Sequence, residues 1–344
     1  MKVEEKYIRR CIQLARNGLC NTPPNPMVGA VIVCDGQIIG EGYHVRCGEG
    51  HAEVNAIRSV RRPELLSRST IYVSLEPCSH YGKTPPCADL IIEKGIPRIV
   101  IGCQDPFAQV AGRGIRKLRD AGREVVVGVL EEECRALIRR FVTFHTRKRP
   151  FVTLKWAQSA DGFLDRLRSG GTPALLSSTC TQMVTHKRRA EHQAILVGRR
   201  TALLDNPRLD VRHWAGPQPL RIVLDRELSL PQELHLLDGS APTLVVTACH
   251  GVDRPNLSYL TLDFGRELLP RLLDELYHRG IQSLLVEGGS MLLQSFLDQG
   301  LWDEAWVEHA PLRLGEGVAA PQVNQTIFRE EKYFFGRNYT RFRR

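Results

Sequence analysis

The run Ile71-Tyr72-Val73-Ser74-Leu75-Glu76-Pro77-Cys78, followed after eight intervening residues by Cys87 in Thr84-Pro85-Pro86-Cys87, decides the fold of the first half of the chain. Residues 71–75 are rich in β-branched and aromatic side chains, which predicts a short strand. Thr84 followed by two prolines predicts a capping residue and an N1 proline, so a helix opens near Pro85-Pro86 and ends at Gly95. A strand end then carries one thiol and a helix start the other. At a helix start the dipole favours the thiolate, the form that binds metal.

Upstream lies His51-Ala52-Glu53. In a regular helix residues two apart diverge by roughly 200°, so these side chains converge only if His51 stands at the helix end. Gly48 and Gly50 before it and a periodic run to about Arg61 predict that placement. His51, Cys78 and Cys87 make a three-ligand zinc set with the fourth position open for water. Zinc lowers the pKa of its water towards ~7, and Glu53, not a ligand, is then the catalytic carboxylate that moves the proton. A structural zinc would recruit His80 as fourth ligand, and Glu53 would have no task. The set of His-x-Glu with Pro-Cys and a second Cys is that of nucleobase deaminases, with a longer loop between the cysteines.

Further outward, strands and helices alternate. Residues 4–18 have a helical apolar period, 29–34 and 37–43 form a hairpin across Asp35-Gly36, and 98–103 and 124–130 are strands. Helices are predicted over 112–122 and 131–144. This alternation implies a central sheet covered by helices on both faces. A polar, basic break, His145-Thr146-Arg147-Lys148-Arg149-Pro150, separates domains at 1–147 and 150–344. The second half is again α/β, with strands at 151–157, 194–198, 220–225, 243–248, 281–286 and 304–309. Its helices are expected at 178–190, 266–279 and 290–299. Val286-Glu287-Gly288-Gly289-Ser290 joins a strand to a helix, and its glycines either admit a phosphate at the helix start or simply turn the chain.

Composition sets the outer limits. With 344 residues, 42% hydrophobic and 25% charged, this is a folded two-domain chain without the ~18 apolar residues that span a bilayer. Residues 1–6 lack a secretory apolar core, so the expected location is cytoplasmic and the ten cysteines reduced. Cys11, Cys34, Cys103 and Cys249 lie in apolar runs and are expected in the core. The net charge of +9 comes from scattered arginines, which argues for solvated surface and phosphate-binding arginines rather than a nucleic-acid module.

Several motifs together resemble the bifunctional riboflavin-biosynthesis deaminase/reductase family over roughly residues 4–315. They are Thr22-x-x-Asn25-Pro26-x-Val28-Gly29, His51-Ala52-Glu53, the whole of Glu76–Cys87, Asp105-Pro106 and Val110-Ala111-Gly112-Arg113-Gly114. In the second half they are Thr153-Leu154-Lys155-x-Ala157-x-Ser159-x-Asp161-Gly162, Ile195–Gly198, Thr201, Asp205-Asn206-Pro207-x-Leu209-x-Val211-Arg212 and Val286–Gly289. The resemblance implies a cytidine-deaminase-like three-layer domain followed by a dihydrofolate-reductase-like α/β domain. It implies zinc, one ion per chain, NADPH, and a phosphorylated pyrimidine substrate. Neither nucleic acid nor membrane is expected as a partner, and the resemblance implies a homo-oligomer, a dimer through the reductase half. Deamination of a diaminopyrimidinone carrying a ribosylamino phosphate is followed by reduction of the ribosyl group to ribityl.

By the same resemblance Asn25, His44, Lys83 and Asp105 help bind the deaminase substrate. Alone, Asn25 would read as a turn residue and Lys83 as a solvated lysine. Ala157, Thr201, Asp205, Gly288 and Gly289 contact NADPH. Arg189, Leu209, Arg212 and Glu287 contact the reductase substrate, the arginines near its phosphate. Phe107-Ala108 and the run Thr172-Pro173-Ala174-Leu175-Leu176-Ser177-Ser178 depart from the family pattern. The second departure removes a cofactor-contacting tryptophan, for which Trp156 is a candidate replacement. It also motivates an alternative, a deaminase whose C-terminal domain only binds or dimerises. The tail beyond Gly317 matches nothing recognisable.

Overall fold

The computed structural model describes residues 5–80, 85–105, 112–324 and 328–344. Lys83 and Phe107-Ala108 lie outside them. The chain divides into two compact units, Met1–Lys148 and Arg149–Arg344, and each is described by itself.

The first unit runs α1 (Glu5–Ala15), β1 (Gly29–Cys34), β2 (Gln37–Tyr43), α2 (Ala52–Arg58), β3 (Thr70–Leu75), α3 (Cys87–Glu93), β4 (Arg98–Cys103), α4 (Arg113–Asp120), β5 (Glu124–Val127), α5 (Glu131–Leu137) and α6 (Arg139–Arg147). Its sheet has the order β2-β1-β3-β4-β5. β1 is antiparallel to both neighbours, and β3, β4 and β5 are parallel. β1, β3 and β4 are buried throughout because helices cover both faces. Ala30, Ile32, Ile71, Val73, Ile99 and Ile101 pack with residues of α2, α3 and α4. Val31, Tyr72 and Val100 pack on the other face with residues of α1 and α5.

The second unit runs β6 (Phe151–Gln158), β7 (Phe163–Asp165), α7 (Thr179–Ala190), β8 (Ala194–Gly198), α8 (Arg199–Asp205), β9 (Leu220–Leu224), β10 (Thr243–Thr247), β11 (Leu257–Thr261), α9 (Leu268–His278), β12 (Ser283–Gly288), α10 (Ser290–Asp298), β13 (Glu304–His309), β14 (Val318–Ala319), β15 (Phe328–Phe334) and β16 (Arg337–Arg343). Its nine-stranded sheet has the order β11-β10-β9-β8-β12-β6-β13-β16-β15. The pairs from β11 to β13 are parallel, and β16 and β15 close that end antiparallel. Leu154, Leu196, Ile222 and Val286 pack under α9 and α10. Ile195, Val197, Val223 and Val245 face a second cluster built from Ala202, Leu209 and Leu230–Leu237.

Several expectations need correction. The helix expected over 131–144 is two, because Ile138 leaves helical geometry at φ −99° and ψ 14°. The strand from 124 stops at Val127, since Gly128 turns the chain at φ +93°. The strand expected at 281–286 lies at 283–288 and carries Glu287 and Gly288 with it. Cys249 is exposed, beyond the end of β10, whereas Cys11, Cys34 and Cys103 are buried. The tail forms β15 and β16, and α8 and β11 are further elements that the apolar pattern did not mark. Among the described residues no helix is long and apolar enough to cross a membrane.

Candidate active sites

In the first unit the site gathers at the carboxyl ends of parallel strands, where open α/β sheets place their ligands. β3 hands the chain through Glu76-Pro77 to Cys78. Helix α3 begins at Cys87 itself, with Pro86 as N-cap, one residue later than the prolines suggested. The Cys87 N–H donates to Cys78 Sγ at 3.3 Å, tying the two thiols together. His51 is the N-cap of α2 with an extended backbone, φ −69° and ψ 168°. That non-helical turn is what lets His51 and Glu53 meet at one place.

His51 Nδ1 lies 3.5 Å from Cys78 Sγ and 3.3 Å from Cys87 Sγ. A tetrahedral zinc with ordinary Zn–N and Zn–S bonds would separate such atoms by roughly 3.6 Å, so the residues present fit the ion. All three ligand atoms lie within 4.8 Å of one another. His80 is exposed and outside this group, which leaves the set three-coordinate among the described residues. The hydrogen bond from Cys87 brings the Cys78 thiol down to about 4, with His51 adding to the effect against burial. Cys87 moves the opposite way, pushed up by that same bond and by burial. Burial raises the Glu53 carboxyl to about 7, and the Cys78 charge adds to it.

A cavity of about 630 Å³ opens over this cluster and is lined by Asn25, His44, His80, Asp105, Arg113 and His145 among others. His44 Nδ1 faces the Gly50 carbonyl at 3.2 Å, and its Nε2 lies 3.0 Å from Asn25 Nδ2. A carbonyl only accepts, so Nδ1 carries the proton and Nε2 accepts from the Asn25 amide. Burial lowers the pKa of His44 and keeps that neutral form. The contact fixes the Asn25 amide with its carbonyl oxygen left for another partner.

In the second unit a cavity of about 400 Å³ lies at the carboxyl ends of β6, β8 and β12. It is lined by Lys155, Ala157, Thr201, Asp205, Glu287, Gly288 and Gly289. Gly288 must be glycine because a Cβ would stand 2.8 Å from Thr201 Cγ2, and Gly289 caps α10 at φ +82°. Glu287 is gripped by Arg189, Nε to Oε1 at 3.0 Å and Nη2 to Oε2 at 2.7 Å, while Arg189 Nη1 donates to the Asp210 carbonyl. Asp205 is paired with Arg168, which also binds Asp165. Leu209 is a core residue and Arg212 pairs with Asp210, and neither lines the cavity. Residues 173–177, the run that departs from the family pattern, line it, with Leu175 77% exposed. Trp156 lines it from the core side, its Nε1 donating to Gln158.

Residues 1–103 match the family model of the cytidine and deoxycytidylate deaminase zinc-binding region. Residues 150–335 match that of the RibD C-terminal domain. The chain is 41% identical over 323 residues to the riboflavin biosynthesis protein RibD of Aquifex aeolicus, covering 92% of this chain and 90% of that one. The chain belongs to the RibD family.

It therefore joins a deaminase domain to a reductase domain, and the C-terminal match favours the two-activity reading over a deaminase with a merely binding second half. The RibD of Bacillus amyloliquefaciens is 41% identical over 330 residues, covering 93% and 88% of the two chains. Among solved structures, the Thermotoga maritima diaminohydroxyphosphoribosylaminopyrimidine deaminase / 5-amino-6-(5-phosphoribosylamino)uracil reductase superposes with a TM-score of 0.89 at 37% identity. It covers 98% of each chain. The RibD of Acinetobacter baumannii gives 0.86 at 32% identity, again covering 98% of each.

Within this RibD-family fold the structure brings forward residues the sequence left without a role. The Glu76 carboxylate accepts four backbone N–H groups, from Asp105 at 3.2 Å, Gly112 at 3.0 Å, Gly114 at 2.9 Å and Ile115 at 3.3 Å. Arg113, Phe141 and His145 line the first cavity, and Lys155 the second. Burial lowers the pKa of Lys155, against the pull of Glu287 and Glu308. The motif positions of Glu76 and Lys155 were the only signals, and neither revealed its partners.

Proposed function

We propose that this chain converts a diaminopyrimidinone carrying a ribosylamino phosphate in two steps, hydrolytic deamination in the first unit and NADPH-dependent ribosyl reduction in the second. The observation that carries the first step is the convergence of His51, Cys78 and Cys87 beside a buried Glu53 that is not a ligand. Zinc held by those three supplies a nucleophile at neutral pH. Glu53 carries one proton from the attacking water to the ring nitrogen and then the second, from the hydroxyl now on the ring carbon, to the amine, whose C–N bond breaks as the carbonyl forms, so water enters as ammonia leaves. A carboxyl near 7 suits both accepting and giving that proton. Asn25, fixed by His44, accepts from a ring N–H or amino group, and Asp105 lies at the same cavity. Lys83 is assigned to substrate on the family pattern.

In the second unit NADPH supplies the hydride. Ala157, Thr201, Asp205, Gly288 and Gly289 all line the cavity and hold the cofactor, the glycines giving its backbone close approach. Glu287 contacts the substrate, and Arg189 positions Glu287 from behind. Leu209 and Arg212 are assigned to substrate on the family pattern alone. Lys155, at the same cavity, would supply the proton that the ring oxygen takes up as its bond to the anomeric carbon breaks. One zinc per chain and a dimer through the reductase unit complete this reading, and ten free cysteines suit a reducing cytoplasm.

The test is to incubate zinc-loaded protein with the diaminopyrimidinone phosphate, with and without NADPH, and follow ammonia and NADPH absorbance separately. Ammonia release should not need NADPH, and NADPH oxidation should follow it. Glu53→Gln should keep zinc and lose ammonia release by about 10²–10⁴-fold. Ammonia without NADPH loss would sink the second step.

A further inference from the structure

The first cavity, at about 630 Å³, is large enough for a whole small ligand beyond the ring that reacts at the metal cluster. A phosphorylated substrate needs a cation there. The described lining residues offer few. His51 belongs to the metal set, and His44 is committed to Gly50 and Asn25. Burial lowers the pKa of His145, and Lys148 adds to that. His80 is an exposed imidazole. Arg113 is the one permanently charged cation among the described lining residues. It is exposed, and no hydrogen bond or ion pair engages its guanidinium among the described residues. At the second cavity, by contrast, Arg168 is already paired with Asp165 and Asp205.

Arg113 is also held in place. The residues on either side, Gly112 and Gly114, donate their N–H groups to the Glu76 carboxylate. Gly114 presses so closely on Pro77 that a Cβ would stand 2.0 Å from its carbonyl oxygen. The first turn of α4 is therefore pinned to the segment that carries Cys78. The charge of Glu76 is answered by four N–H donors, and no ion pair joins it to Arg113 among the described residues.

We propose that Arg113 is the specificity residue by which the deaminase cavity selects a phosphorylated substrate, its guanidinium binding the phosphate oxygens. This rests on the reading of the cavity as a deaminase site for a ribosylamino phosphate. An unpaired guanidinium suits two phosphate oxygens at once. Glu76 acts as a positioning residue for it.

The test compares ammonia release from the phosphorylated substrate and its dephosphorylated form by wild type, Arg113→Ala and Arg113→Lys, all zinc-loaded. The wild type should prefer the phosphorylated form, and Arg113→Ala should shrink that kcat/KM ratio by about 10- to 100-fold, the loss of a charge-assisted hydrogen bond. Arg113→Lys should restore part of it, and zinc content should not change. Binding of ribose 5-phosphate, followed by calorimetry, should weaken in parallel. An unchanged ratio in Arg113→Ala, or equal losses on both substrates, overturns the proposal. If the wild type releases ammonia from neither compound, the deaminase reading fails. Ribose 5-phosphate binding then decides Arg113 alone: weakening in Arg113→Ala supports it, and no change overturns it.

Discussion

Glu76 stands two residues before Cys78, one of the three proposed zinc ligands, buried, with four backbone N–H groups on its carboxylate. Removing it orphans donors in two separate segments. Glu76→Ala should therefore destabilise the first unit by about 2–4 kcal/mol and lower zinc retention, read by thermal melting and metal content. Glu76→Gln, which turns an amide towards donors, should fall between. This residue was not legible in the sequence, because its partners lie 29 to 39 positions away. His51 and Glu53 were legible because their geometry is local. His186 makes a second case. Burial, then Arg189 and Arg212, push it down to about 4, and its Nδ1 accepts from the Arg212 N–H. The unfolded chain protonates first, near about 6.5, so stability from the neutral ring is full above that pH and is lost as pH falls towards 4. His186→Asn, which keeps an acceptor there, should flatten the decline measured by denaturant unfolding between those values.

At the level of elements, legibility followed how far an element carries its own signal. β1, β3 and β4 are buried on both faces and read as apolar runs. The closing hairpin did not, since β15 reads Phe328-Arg329-Glu330-Glu331-Lys332-Tyr333-Phe334 with charge at its centre. Its strand character comes from pairing. β16 aligns along the whole of β13, from Glu304 opposite Arg343 to His309 opposite Asn338. Arg341 binds the buried Glu304, and His309 Nε2 lies 2.8 Å from Thr340 Oγ1. Truncation after residue 324 would bare the β13 edge and remove the Arg341 partner of Glu304. We expect loss of the second unit's cooperative melting, aggregation through the open edge, and NADPH oxidation below about a tenth of wild type. Ammonia release should persist, because each unit has its own core. Equal loss of both activities would show that the hairpin supports the whole chain.

At the level of the molecule, every residue lining the first cavity falls before Lys148 and every residue lining the second falls after it. Among the described residues each cavity is lined from one unit alone, at the carboxyl end of that unit's sheet. On the proposed function the two steps are linked by the chemistry of one substrate, the product of deamination being the compound to be reduced. This organisation makes a definite prediction for mixtures. Glu53→Gln should lack ammonia release yet reduce added deaminated intermediate, and Lys155→Met should release ammonia without oxidising NADPH. Mixed in equal amounts with the diaminopyrimidinone phosphate, the two variants should recover NADPH oxidation to within about twofold of wild type, as independent sites do, after a lag while free intermediate accumulates. The lag should shorten as total protein rises. If the mixture stays inactive while each variant keeps its single activity, the intermediate must pass within one chain, and the two sites are coupled in a way that their separate linings do not reveal.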